Sequence, residues 1–233
     1  MHGHLSAVEE ALLSEIVEEA READRLGLVL SSSGNFSVRL GRGRFAITAS
    51  RARLGKLRRE DLVILGLPPE PADSSGQAAP AQPEPARRPS AETPMHRFLY
   101  AERPRAGSIL HFQSPAATAL ACGAGPLPDL AFIPEIPVYI RKVGEAPYFP
   151  PGSDALARAV AEAFRDGDVR LVQLRNHGQV VIGDTPAQAL ERATFFELAS
   201  RICLLAEGPR PLRRFSEAEL ETLLGYRKDK DKR

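Results

Sequence analysis

The chain has 233 residues, enough for one full hydrophobic core, and its 31 basic and 30 acidic side chains leave a formal charge of +1. That balance excludes the strong basic excess of a dedicated nucleic-acid surface and points to a small-molecule partner. No apolar stretch approaches the ~20 residues of a membrane span, and no basic region followed by an apolar run marks the amino terminus. Cys122 and Cys203 stand far apart in Ala/Leu contexts, which reads as two buried thiols rather than a disulfide and suits a reducing cytoplasm. The expectation is a soluble cytoplasmic α/β protein, a single domain over 1–233.

His2 and His4 belong to a frayed end and receive no role. Ser6 and Glu9 form a capping box, and Val8, Leu12, Leu13, Ile16, Val17 and Ala20 recur at helical spacing, so a helix is expected over 7–26. The run Ser31-Ser-Ser-Gly-Asn35 reads either as a polar loop or as an amide nest for an anion. Two strands over 36–40 and 44–48 form a hairpin around Gly41 and Gly43, and residues 61–67 make a further strand. The Pro/Ala-rich stretch 68–89 offers nothing to bury and reads as a flexible loop.

Ser90 is the expected cap of a helix carrying Glu92 in its first turn, with Met95, Phe98 and Leu99 on one face. At such a position the helix dipole lowers a carboxylate's pKa. Glu92 and His96, four apart, share a face. In the apolar strand 108–112, His111 and the following Gln113 alternate onto one side. His177 lies in a turn between apolar runs at 169–174 and 179–182, so a hairpin brings a second imidazole toward the first. Together His111, Gln113 and His177 read as three converging donors for one metal ion.

A small-residue helix follows Ser114-Pro115, residues 133–139 read as a proline-punctuated edge strand, and helices are expected over 153–164 and 185–206. Ser216 opens a short final helix, and the alternating Lys/Asp tail 227–233 reads as a solvated end.

The ordered motifs Ser31-Ser-Ser-Gly-Asn-Phe-Ser-Val-Arg39, Ile47-Thr-Ala-Ser50, Pro89-Ser-Ala-Glu92, His111-Phe-Gln113 and Asn176-His-Gly178 resemble the class II aldolase/adducin family from about residue 8 to residue 206. The resemblance implies a central, mainly antiparallel mixed sheet flanked by helices. It also implies a metal-dependent lyase that cleaves a small phosphorylated hydroxy-carbonyl compound through an enediolate. On it, Glu92 is the catalytic glutamate, and His111, Gln113 and His177 hold a divalent metal, zinc in the family. Gln113 replaces the second histidine of the usual His-x-His pair, which weakens zinc relative to Mn²⁺ or Mg²⁺.

The resemblance further makes Gly34 and Asn35 part of a phosphate loop and gives phosphate hydroxyls to Ser50 and Ser90, while Ala91 departs from a usual second serine. Arg51 stands where glycine is common, and either contacts a phosphate or carboxylate or partly fills the pocket. Tyr139 lies near a tyrosine that the aldolases donate to a neighbouring subunit's site, and a homotetramer is implied. Two alternatives stay open: a decarboxylase or epimerase sharing the enediolate chemistry, and a non-catalytic adducin-like binding module. Gln113 and Ala91 favour the module; Glu92, His111 and His177 favour an enzyme.

Overall fold

A computed structural model describes residues 5–41, 43–67, 87–206 and 212–230. Most of the expected 68–89 loop, together with His2, His4 and residues 231–233 of the expected tail, lies outside them. Helix α1 (Ala7–Arg25) starts at the expected capping box, Ser6 and Glu9 each bonding the other's backbone. Strands β1 (Asn35–Leu40), β2 (Arg44–Thr48) and β3 (Leu62–Gly66) follow as an antiparallel meander. Next come helix α2 (Thr93–Glu102), strand β4 (Ser108–Phe112), helix α3 (Pro115–Cys122), strand β5 (Lys142–Ala146) and helix α4 (Asp154–Ala163). The β6 (Val169–Leu174) and β7 (Gly178–Gly183) hairpin leads into α5 (Pro186–Leu205) and α6 (Glu217–Lys230).

The strands form one sheet of order β3-β2-β1-β4-β7-β6-β5, antiparallel throughout except for the β5–β6 pair. This is the mixed, mainly antiparallel α/β architecture expected. Strand alternation splits the core into two layers. Leu110 and Phe112 of β4 join α1, α3 and α5 on one face, while Ile109 joins Met95, Leu99 and Tyr100 of α2 and Leu156 and Val160 of α4 on the other.

Three expectations change. The edge strand expected over 133–139 is instead a π-helical turn at Ile136–Ile140, with Val138 donating to the Pro134 carbonyl and Arg141 to that of Ile136. Pro134 and Pro137 have no N–H for a ladder, and the true edge is β5, whose Lys-Val-Gly-Glu-Ala sequence lacks an apolar run. Helix α6 continues to Lys230, through the first residues of the expected tail. Cys122 is exposed and Cys203 half-buried where burial was expected, and no disulfide joins them. Among the described residues, no helix is long and apolar enough to cross a membrane.

Candidate active site

The site forms where the β1, β4 and β7 ends meet the start of α2. Asn35 of β1 pairs directly with His111 of β4, so the two side chains leave the same face of the sheet as close neighbours. The chain before α2 returns to the end of β2 through bonds from Ser50 N to the Arg88 carbonyl (2.8 Å) and from Ser90 N to the Thr48 carbonyl (3.1 Å). Ser90 then holds the turn into α2: its hydroxyl accepts from Glu92 N at 3.2 Å and its carbonyl from the Thr93 hydroxyl at 2.6 Å. The helix proper begins at Thr93, and Glu92, rather than Ser90, is its N-cap residue.

Glu92 is 6% exposed. One carboxylate oxygen accepts from Gly152 N at 3.1 Å, whereas the other is buried with no partner among the described residues. Burial pushes its pKa up and the Gly152 N–H pulls the other way, with a net rise. The lowering expected from the α2 dipole is therefore overturned, because desolvation of the charge outweighs the amides around it. Gly152 was not legible as a site residue in the sequence; the Pro150-Pro-Gly-Ser153 turn before α4 was the available signal.

His111 donates from Nδ1 to the Gln179 carbonyl at 2.9 Å, which leaves its Nε2 lone pair free for a ligand. The three-residue turn of Arg175, Asn176 and His177 brings the second imidazole edge-on to the first, with ring centroids 4.9 Å apart. Asn176 takes the left-handed conformation there (φ 53°), which asparagine tolerates. The turn is tied down by Asn176 N on the Ala121 carbonyl and by Arg175 on Glu145. His177 Nε2 lies 3.9 Å from Glu92, and its Nδ1 is buried without a partner among the described residues. Burial lowers the pKa of both imidazoles, that of His111 to about 3 with the neighbouring His177 as second cause, so both rings are neutral at physiological pH.

Two glycines let these parts close up. A Cβ on Gly34 (φ +76°) would lie 2.7 Å from Val29 and 2.8 Å from the His111 carbonyl; one on Gly178 would lie 2.6 Å from the Phe112 carbonyl and 2.7 Å from Gln113 Cγ. Gly178→Ala should therefore displace the histidine strand, weaken metal binding and lower Tm. Unchanged metal affinity and Tm would show that the strand gives way freely. The same contact places the half-buried Gln113 side chain beside the His177 turn.

Among the described residues, no three His, Cys, Asp or Glu side chains already converge as a metal site. The donor chemistry nevertheless fits a divalent cation. Two neutral imidazoles meet edge-on, each with a ring nitrogen unused among the described residues, and an unpartnered Glu92 oxygen lies in the same buried cluster.

The remaining expected residues fall into two groups. Ser50 and Arg51 are exposed at the end of β2, Arg51 in the left-handed region (φ 61°), close in sequence to the bonds that fold Ser90 against this strand. Tyr139 stands at the opposite end of the sheet within its own chain. Its ring packs at a tilt against Phe195 and lines a cavity with Ile182 and Gly183, and Gly183 pairs with Ser108 at the far end of β4.

His96, which shares a helix with Glu92, does not turn toward the imidazole pair. Its Nε2 meets Asn35 Oδ1 and its Nδ1 meets Ser37 Oγ, each at 2.6 Å, in full burial. Burial, and then the proximity of His111, depresses its pKa to about 3. The unfolded chain binds a proton on this ring near pH 6.5 and the folded one only near 3. The stability it contributes is thus complete above pH 6.5 and lost as pH falls toward 3, at a slope approaching ~1.4 kcal/mol per pH unit. His96→Gln should flatten the fall of Tm between pH 6.5 and 4.5; an unchanged slope would mean that the ring titrates normally.

The sequence profile of the Class II Aldolase and Adducin N-terminal domain matches residues 14–204. Methylthioribulose-1-phosphate dehydratase of Methylococcus capsulatus is 34% identical over 197 residues, 81% of this chain and 90% of that protein. The 3-oxo-tetronate 4-phosphate decarboxylase of Haemophilus influenzae is 28% identical over 89% of this chain and 93% of its own length. Among solved structures, an L-fuculose 1-phosphate aldolase superposes with a TM-score of 0.79 at 26% identity, covering 97% of this chain and 99% of that one. With a matching profile over most of its length, related enzymes and the same fold, the chain belongs to the class II aldolase and adducin family.

Proposed function

We propose that this protein is a metal-dependent lyase of the aldolase type, acting on a small phosphorylated hydroxy-ketone, with Glu92 as its acid–base residue. The observation that carries the reading is the buried Glu92 carboxylate, one oxygen fixed by Gly152 and the other unpartnered, beside two neutral imidazoles. His111, His177 and Gln113 are the proposed metal ligands. When bound, the cation supplies positive charge to a substrate oxygen that becomes anionic as the bond beside the carbonyl breaks.

Glu92 moves the proton at the carbon next to that carbonyl. In carbon–carbon cleavage the carboxylate takes the proton of the hydroxyl on the departing carbon as that carbon becomes an aldehyde, and in decarboxylation carbon dioxide departs; in both, the electron pair of the broken bond ends on the carbon next to the carbonyl and the protonated carboxyl returns a proton to it. In water loss, the carboxylate removes that proton as hydroxide departs. A carboxyl with a raised pKa suits both directions. Gly34, Asn35, Ser50 and Ser90 are proposed to face the phosphate, with Arg51 at the rim. Family members named as dehydratase, decarboxylase and aldolase all carry a phosphate in the names of their substrates. That shared group supports a phosphorylated substrate, and the enzymatic relatives weigh against a non-catalytic adducin-like module.

A cytoplasmic homotetramer completes the proposal. In it Tyr139, remote from the site of its own chain, serves a neighbouring subunit. Zinc is the family metal, with Mn²⁺ or Mg²⁺ favoured by Gln113. The test is incubation of the metal-loaded protein with ketose 1-phosphates and 3-oxo-acid 4-phosphates while aldehyde, water-loss product and carbon dioxide are measured separately. Turnover of at least one phosphorylated compound, abolished by chelation, is expected; metal-independent turnover, or turnover of only unphosphorylated compounds, would overturn the reading.

A further inference from the structure

We propose that His96 is a positioning residue: with Ser37 and Tyr100 it forms a one-way hydrogen-bond relay that fixes the Asn35 amide with its NH₂ turned outward to the substrate phosphate. The relay consists of Tyr100 OH to Ser37 Oγ at 2.9 Å, Ser37 Oγ to His96 Nδ1 at 2.6 Å and His96 Nε2 to Asn35 Oδ1 at 2.6 Å. All four residues are buried.

The direction follows from the inventory of protons. An amide oxygen only accepts, so Nε2 of His96 carries the hydrogen and Nδ1 presents a lone pair. Ser37 must then donate to Nδ1, which leaves its oxygen to accept from Tyr100. Every hydrogen in the chain is used. If Asn35 is turned over, each link reverses and the Tyr100 hydroxyl hydrogen loses its acceptor while buried, the arrangement that folded proteins avoid. Tyr100 is itself held in place, its ring lying 4.6 Å beneath the Arg39 guanidinium and its carbonyl accepting from that side chain at 2.8 Å.

The outward end is equally defined. The Asn35 amide nitrogen has no partner among the described residues and, unlike the free oxygen of Glu92, is not sealed from solvent. Because Asn35 pairs with His111 across β1 and β4, this donor emerges beside the imidazole pair. A donor there welcomes an anionic oxygen, whereas a flipped amide would present a carbonyl and repel it. His96 thus acts through Asn35 and touches no substrate. Its neutral state follows from complete burial with both ring nitrogens engaged.

The inference rests on the phosphorylated substrate proposed above, and the two can fail separately. The first measurement is the ¹⁵N–¹H spectrum of the imidazoles in the labelled, metal-loaded protein. His96 is expected as the Nε2–H tautomer in wild type and as a tautomer mixture in Ser37→Ala, which removes the hydroxyl hydrogen that sets the direction at Nδ1. The Nδ1–H tautomer in wild type would overturn the relay whatever the substrate. The second measurement is the binding of inorganic phosphate. Asn35→Asp and Ser37→Ala are expected to weaken it by roughly 10- to 100-fold, the range for a hydrogen bond to a charged group. His96→Gln, which keeps a donor and an acceptor in the relay, should stay within about threefold on the same scale. If Asn35→Asp weakens phosphate while Ser37→Ala binds as wild type does, the positioning role is overturned. If Asn35→Asp also binds normally, the phosphate assignment of Asn35 falls with it.

Discussion

Glu92→Gln is expected to lower turnover by roughly 10²–10⁴-fold while leaving the fold intact. The replacement keeps an oxygen where Gly152 N donates at 3.1 Å and removes only the ability to carry a proton to and from carbon. Folding should not suffer, because the second oxygen of Glu92 is already buried without a partner and burial of its charge is the main cause of its raised pKa. The two effects separate catalysis from structure. A variant with wild-type turnover would remove Glu92 from the mechanism, and one with a much lower Tm would show that the carboxylate serves the fold.

His177→Ala is expected to release the metal, weakening its retention by more than the ~10–100-fold typical of losing a mere outer partner. The imidazole lies edge-on to the His111 ring, centroids 4.9 Å apart, and its buried Nδ1 has no hydrogen-bond partner among the described residues. Its loss deprives the turn of little else, since Arg175 and Asn176 anchor that turn to β5 and α3. Gln113→His acts in the other direction. An amide oxygen is a weak neutral donor beside imidazole, so restoring a ring next to Gly178 should tighten zinc, provided it clears the glycine that Gln113 Cγ already approaches.

How far the sequence carried these conclusions depended on whether a feature was local. The capping box at Ser6 and Glu9, the β6–β7 hairpin and the alternation of β4 are set by near neighbours, and each formed as expected. The β5 edge was hidden because its exposed Lys142 and Glu145 and its Gly144 carry no apolar alternation, and its pairing with β6 arises only in the folded sheet. The same holds within the site. The pairing of His111 with His177 was legible from strand and turn spacing. The support of Glu92 by Gly152 was not, because it joins groups sixty residues apart through the packing of α4 on α2. The pKa of Glu92 moved opposite to the expectation because helix position is readable in sequence and desolvation is not.

The most direct test of a metal held by the paired imidazoles is zinc affinity, titrated against a competing chelator in the wild type, Gln113→His and His177→Ala. Gln113→His is expected to hold zinc measurably more tightly than the wild type, and His177→Ala to retain none. Equal affinity in the wild type and Gln113→His, together with unchanged binding in His177→Ala, would contradict it: the metal would then lie away from the paired imidazoles.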